Sequence, residues 1–299
     1  MNGPRRVGVT AGYIFAHVED RQDLPIYLEC IQKAGRMQFA GIGLEILREE
    51  HEEIFSDANL FRIKALLEQY DLHVGQFIAE YAAAELFSPD PERRARGRRR
   101  LAFIAERCLM LERVKTIQIP SYKPVEWSEE GAEQYPGLPG TASLPPETTY
   151  GVFWDAGLES IRGCLDDLEG TPLSLAIEPR PQTVLTTVDS VLRFAQQLDT
   201  DRERLKVVLD TSHLQAQREM IDVAIEKTSS RLVGMHLSDH SVANYREPLG
   251  KGTVHWDAVF ASLRKVDYRG PLDIELYGGS IRNIDAEYLA GKTFVETHA

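Results

Sequence analysis

The chain is short of the residues that would build a disulfide framework, a thiolate metal site or a membrane anchor. Its 299 residues include three cysteines, Cys30, Cys108 and Cys164, and no two of them stand at a metal-ligand spacing. Each falls in a helical pattern, and an odd number without a framework suits a reducing compartment. No window reaches 18 apolar residues, and the Arg5-Arg6 pair near the N-terminus is not followed by an apolar stretch. Neither a spanning helix nor a secretory signal is therefore expected, and the protein reads as cytoplasmic. Positive charge is scarce too: 34 Lys and Arg stand against 46 Asp and Glu, a formal net charge of -12. That balance argues against nucleic acid or an anionic membrane as the main partner, since both favour a basic face. It suits a small neutral or anionic substrate held by a metal. One basic run, Arg93, Arg94, Arg96 and Arg98 to Arg100, lacks interleaved aromatics and reads as a solvated or interfacial helix face.

What is present is ordinary for a soluble globular domain: 43% hydrophobic and 27% charged residues, enough for a sizeable core. Short apolar runs alternate with amphipathic helical patterns along the chain. Strands are expected at 6–10, 41–46, 72–78, 114–119, 173–177, 206–209, 232–235 and 271–274, and helices at 24–35 (closed by Gly35), 59–70, 91–113, 147–168, 183–198, 215–229, 257–266 and from Asn283. Eight β–α units without a reversal of order fit a (β/α)8 TIM barrel in a single domain, 1–299. A doubly wound open sheet is the competitor, but no G-x-G-x-x-G follows the first strand. The rhythm breaks only at 120–146, rich in Pro, Gly, Glu and aromatics. A connection of that length is expected either to cover the active site, with Tyr122, Trp127 and Tyr135 as covering groups, or to serve packing or subunit contact.

Four successive strands in the second half end in residues that carry chemistry. Leu173 to Ile177 ends in Glu178, Lys206 to Leu209 in Asp210, Leu232 to Met235 in His236, and Pro271 to Ile274 in Glu275. In a closed parallel barrel the C-terminal strand ends share one face, so these side chains converge. Taken singly, each acid has a plainer role as a helix N-cap or loop hydrogen-bonder, and a lone histidine is more often structural than metal-bound. Four in a row are harder to explain separately. Three anionic groups in a small volume need a counter-charge, and an oxygen-rich set with one imidazole suits Mn, Mg or Co. His213, three residues past Asp210, sits at the same rim to orient a substrate hydroxyl or bind a second metal. Arg180, Gln182 and Arg246 lie near the same mouth, where a guanidinium can hold a carboxylate, a phosphate or an enediolate oxygen.

These strand ends, with the loop Gly250-Lys251-Gly252-Thr253-Val254-His255-Trp256, resemble the xylose isomerase-like barrel superfamily, and within it the ketose 3-epimerases of the tagatose epimerase type. The resemblance covers essentially the whole barrel. It implies a sugar isomerase or epimerase with one bound divalent metal, Mn before Mg, Co or Zn, held by Glu178, Asp210, His236 and Glu275. It also implies that Glu178 and Glu275 double as acid and base on opposite faces of the sugar, that His213 binds substrate, and that the protein forms a homodimer or homotetramer. The chain departs from the epimerase pattern at two places. Val184 stands where a further glutamate is expected and Val242 where an arginine is expected, so Arg246 or Arg180 would have to substitute.

Two enzymes of other classes share this layout. A sugar or inosose dehydratase would use the same proton abstraction followed by loss of a leaving group. An abasic-site endonuclease would need further histidines where this chain has Glu45, Gln76 and Glu80, and a basic surface. A carbohydrate-binding barrel without catalysis is the remaining alternative.

Overall fold

A computed structural model describes residues 7–18, 23–121, 123–124, 126, 128–130, 141–198, 204–241, 244–276 and 283–299. Strand β1 (Val7–Val9) leads into helices α1 (Gly12–Val18) and α2 (Leu24–Arg36). Strand β2 (Leu44–Glu45) is followed by a 3-10 helix (Glu49–Phe55) and α3 (Asp57–Gln69), and β3 (Phe77–Ile78) by α4 (Glu80–Leu86) and α5 (Pro91–Leu111). After β4 (Thr116–Pro120) come a hairpin of β5 (Ser128–Glu130) and β6 (Thr141–Ser143) and then α6 (Tyr150–Asp167). The second half runs β7 (Ser174–Glu178), α7 (Val188–Leu198), β8 (Leu205–Asp210), α8 (Thr211–Ala216), α9 (Ile221–Thr228), β9 (Leu232–Leu237), α10 (Trp256–Lys265), β10 (Leu272–Ile274) and α11 (Ile284–His298).

Eight strands pair in parallel in the order β1-β10-β9-β8-β7-β4-β3-β2. The ends of that sheet meet: Val9 N donates to Gly41 O at 3.1 Å and Gly43 N to Val9 O at 2.7 Å, closing the barrel. The open doubly wound sheet is thereby excluded. Apolar residues on both faces of the strands explain the unbroken runs, because helices cover the outside while side chains fill the inside. Val207, Val208 and Leu209 on β8, and Leu175, Ala176 and Ile177 on β7, are all buried.

Several boundaries differ from the expectations. Helix α2 passes Gly35, which packs against the Tyr70 ring, and ends at Arg36; the left-handed residue that follows is Gln38, φ 60°, not a glycine cap. The single helix expected at 215–229 is two helices. Asp210 caps α8 immediately after β8, and Arg218, φ 58°, turns the chain before α9. Helix α7 starts at Val188 rather than 183, because Thr183 and Thr186 close hydroxyl-to-carbonyl turns onto Arg180 and Thr183. Helices α1, α4 and the 3-10 helix, seven residues each, are too short to show a period. The stretch 120–146, expected to be irregular, contains the antiparallel pair Ser128↔Ser143 to Glu130↔Thr141. Its expected covering groups Tyr122, Trp127 and Tyr135 lie outside the described residues.

The arginine run on α5 is spent on its neighbours: Arg94 pairs with Glu159, Arg96 with Glu85, Arg98 with Asp167, and Arg100 with both Glu49 and Glu85. Cys30, Cys108 and Cys164 are free and buried. No described helix is long and apolar enough to cross a membrane.

Candidate active site

The four strand-end residues come together. Glu178 and Asp210 close β7 and β8, His236 is the penultimate residue of β9, and Glu275 directly follows β10. In-register pairing of Asp210 with His236, and the bond from Glu275 N to Leu237 O at 3.0 Å, hold their backbones level. All four are buried, and each offers one ligand atom within 4.8 Å of the others. His236 Nδ1 lies 2.8 Å from both Glu178 Oε1 and Glu275 Oε2. Yet none of these three buried atoms makes a well-formed hydrogen bond. Ligand-type atoms crowded together without bonding to one another suit a bound cation better than a hydrogen-bonded cluster.

The electrostatics follow from burial and crowding. Burial pushes the Glu178 carboxyl up, with His236 opposing. Burial alone would lower the His236 imidazole, but Glu275 and Glu178 outweigh it and hold it well above its ordinary value. Burial would also raise Asp210, but Arg246 keeps its carboxyl below the usual range. Arg246 Nη1 meets Asp210 Oδ2 at 2.7 Å and Nη2 meets Glu275 Oε1 at 3.1 Å. The guanidinium is thus woven into the cluster rather than only near the mouth. His213, driven well below its ordinary pKa by burial, contacts Tyr245 Oη through Nδ1. Its Nε2 stands 3.6 Å from Asp210 Oδ2 and 3.8 Å from Glu178 Oε2.

A cavity of about 280 Å³ opens onto Glu178, His236, Glu275, His213 and Arg246. Arg180 lines it as well, with its Nη1 tied to Glu80 at 3.2 and 3.3 Å. Gln182 serves the turn, with φ 60°. Val184 is core, 1% exposed, and Val242 lies outside the described residues. The other half of the wall was not assigned from sequence: Phe15, Glu45, Arg48, His51, Glu80 and Gln118 come from the first four β–α units. Applying the strand-end rule to β2 and β3 finds Glu45 and Glu80, whereas Gln118 sits in the middle of β4 and nothing local marks Arg48, His51 or Tyr245.

The family model described as "Xylose isomerase-like TIM barrel" matches residues 31–296. The chain is 25% identical over 252 residues to D-psicose 3-epimerase of Agrobacterium fabrum, a match covering 81% of this chain and 79% of that one. Among solved structures it is similar to D-psicose 3-epimerase with D-tagatose from Clostridium cellulolyticum H10, with a TM-score of 0.76, 19% identity and coverage of 98% and 99% of the two chains. The apo 3-keto-D-glucoside 4-epimerase of E. coli gives a TM-score of 0.75 at 18% identity, covering 98% and 99%.

Proposed function

Because the chain belongs to the xylose isomerase-like TIM barrel family, we propose that it is a divalent-metal-dependent sugar isomerase or epimerase acting next to the carbonyl of a ketose or sugar derivative. One observation carries the reading. The Glu178 and Glu275 carboxylates arrive from β7 and β10 on either side of His236 Nδ1, at 2.8 Å each, beside a cavity of sugar-sized volume. Glu178, Asp210, His236 and Glu275 would hold the cation; the donor set suits Mn, Mg or Co, and the family resemblance puts Mn first. When bound, such a cation polarises a carbonyl and its neighbouring hydroxyl and so acidifies the carbon between them.

The chain's own residues do the rest. One of the two glutamates removes the proton from that carbon, and the other returns one to the opposite face. His213 and Arg246 hold substrate oxygens, and Arg180 with Glu80 fixes the polar far wall. The names of the similar epimerases support a ketose as substrate. A role for 120–146 as a cover is supported by Pro120, its first residue, in the cavity wall.

The test is to load the protein with Mn, dialyse it, and incubate it with a panel of ketoses in D2O under NMR. Deuterium entering beside the carbonyl with a new stereoisomer is expected, falling at least about a hundredfold in Glu275→Gln. Loss of water from the sugar would replace epimerisation with elimination. Saturable sugar binding with no exchange would leave a binding barrel.

A further inference from the structure

His236 turns Nδ1 toward the two glutamates, so its other nitrogen must be held. Nε2 faces Gln76 Oε1 at 3.2 Å, with both side chains buried. Gln76 directly precedes β3. Beyond it Asp273, the middle residue of β10, also puts its carboxyl inside the barrel. Three glycines make the room. A Cβ at Gly8 or Gly75 would run into the Asp273 carboxyl, and one at Gly234 would run into Gln76 Nε2. Burial pushes the Asp273 carboxyl up, and His236 and then the Gln76 amide oppose that push. Gln76 Nε2 and both Asp273 oxygens are buried with no hydrogen-bond partner among the described residues, a donor and an acceptor left to each other inside the barrel. An acid in such a place weakens the core rather than strengthening it, since burying a carboxyl without a strong donor costs free energy. Its presence points to a task at the site it underlies.

Resting on the metal-site reading above, we infer that Asp273 and Gln76 form a positioning relay for His236: Asp273 accepts from the Gln76 amide, which fixes Oε1 toward the imidazole, and Nε2–H donates to Oε1. The relay matters because an amide has two ends. With its NH2 held by Asp273, Gln76 can only accept from Nε2, which leaves the Nδ1 lone pair for a cation. Without the acid the amide can turn round and present NH2 to Nε2. That arrangement selects the tautomer with its proton on Nδ1, the wrong one for a ligand. Partners of this kind are worth roughly 10–100-fold in metal affinity.

Mn2+ titration followed by the EPR signal of the free ion tests the relay without recourse to turnover. The wild type is expected to bind about one Mn2+ per chain, and Gln76→Leu to bind it about 10–100-fold more weakly. Combining Gln76→Glu with Asp273→Asn should recover most of the loss, because the new carboxylate accepts from Nε2–H while the new amide donates to it. Gln76→Glu alone, equal in volume but setting two carboxyls against each other, should stay weak; if it binds Mn2+ as tightly as the double variant, the pair only fills space and the relay is overturned. If Gln76→Leu does not fold, imidazole 15N shifts of the wild type loaded with Zn2+ decide instead: a proton on His236 Nε2 supports the relay, and a proton on Nδ1 overturns it. Unchanged affinity in a folded Gln76→Leu overturns the relay alone. A wild type that binds no Mn2+ overturns the metal site and the relay with it.

Discussion

Asp210 divides its carboxylate between backbone and site. Oδ1 accepts from Ser212 N at 2.7 Å and His213 N at 3.1 Å, capping α8, while Oδ2 faces Arg246 at 2.7 Å. The two roles a strand-end acid can play are therefore held at once, and the second depends on Arg246, itself 4% exposed. Removing one partner of a buried pair strands the other charge, so Arg246→Met should destabilise the protein stripped of metal by about 3–5 kcal/mol in urea unfolding. Added Mn2+ should recover much of that loss by supplying positive charge beside Asp210. Equal losses with and without Mn2+ would show that Arg246 acts through packing alone. Asp273 makes the opposite demand. Burial pushes its carboxyl up to about 7. A folded pKa above the unfolded one means stability is intact below about pH 4 and is lost as pH rises toward 7. Asp273→Asn removes that dependence, so its stability relative to wild type should climb between pH 4 and pH 7 by a few kcal/mol at most. Urea midpoints at those two pH values check the sign, and a difference that does not change with pH refutes it.

The connection from β9 to α10 is organised by Asp239. Its carboxylate accepts from His240 N, Gly250 N and Val254 N at 2.9 Å each, and from the Trp256 indole at 2.8 Å. Its backbone pairs in both directions with Glu247. This anchored loop delivers Tyr245 to His213 and Arg246 to the carboxylates. Asp239→Asn keeps the shape but loses charge-assisted acceptance, and one of its two ends becomes a donor facing donors. A cost of about 2–3 kcal/mol and new protease cuts between 240 and 256 are expected; a variant as protease-resistant as wild type would put the anchor elsewhere. The loop before a Trp-led helix was visible in the residues Gly250 to Trp256, and so were the ends of β7 to β10, because each apolar run breaks off into a residue of ligand type. Part of the other half of the site is hidden for a physical reason. Strands β2 and β3 are two residues long, and Arg48 and His51 beyond β2 owe their placement to barrel closure rather than to any local period. Helix α8 is not legible in the sequence because Asp210, which reads as a ligand, is also its cap.

At the scale of the whole barrel, the net charge of -12 and the carboxyl-rich mouth bias the fold toward holding positive charge at its C-terminal face. In the absence of metal, protons take part of that role. Burial raises Glu178, and the Glu275 and Glu178 carboxylates outweigh burial to raise His236. Each group therefore contributes stability at low pH that disappears as pH rises through its folded pKa. Asp210, held down by Arg246 against burial, works the other way: it contributes stability above its ordinary pKa, lost only in strong acid. Two raised groups against one lowered group make metal and protons competitors for one site, since His236 must be neutral and Glu178 ionised to serve as ligands. The gain in melting temperature from saturating Mn2+ should accordingly be small at pH 5.5 and grow toward pH 8. Binding at pH 6 should release protons, seen as a calorimetric enthalpy that depends on the ionisation enthalpy of the buffer. Were the thermal gain the same at both pH values and the enthalpy independent of buffer, the cation would have to bind away from Glu178 and His236, and the two-glutamate chemistry would lose its support.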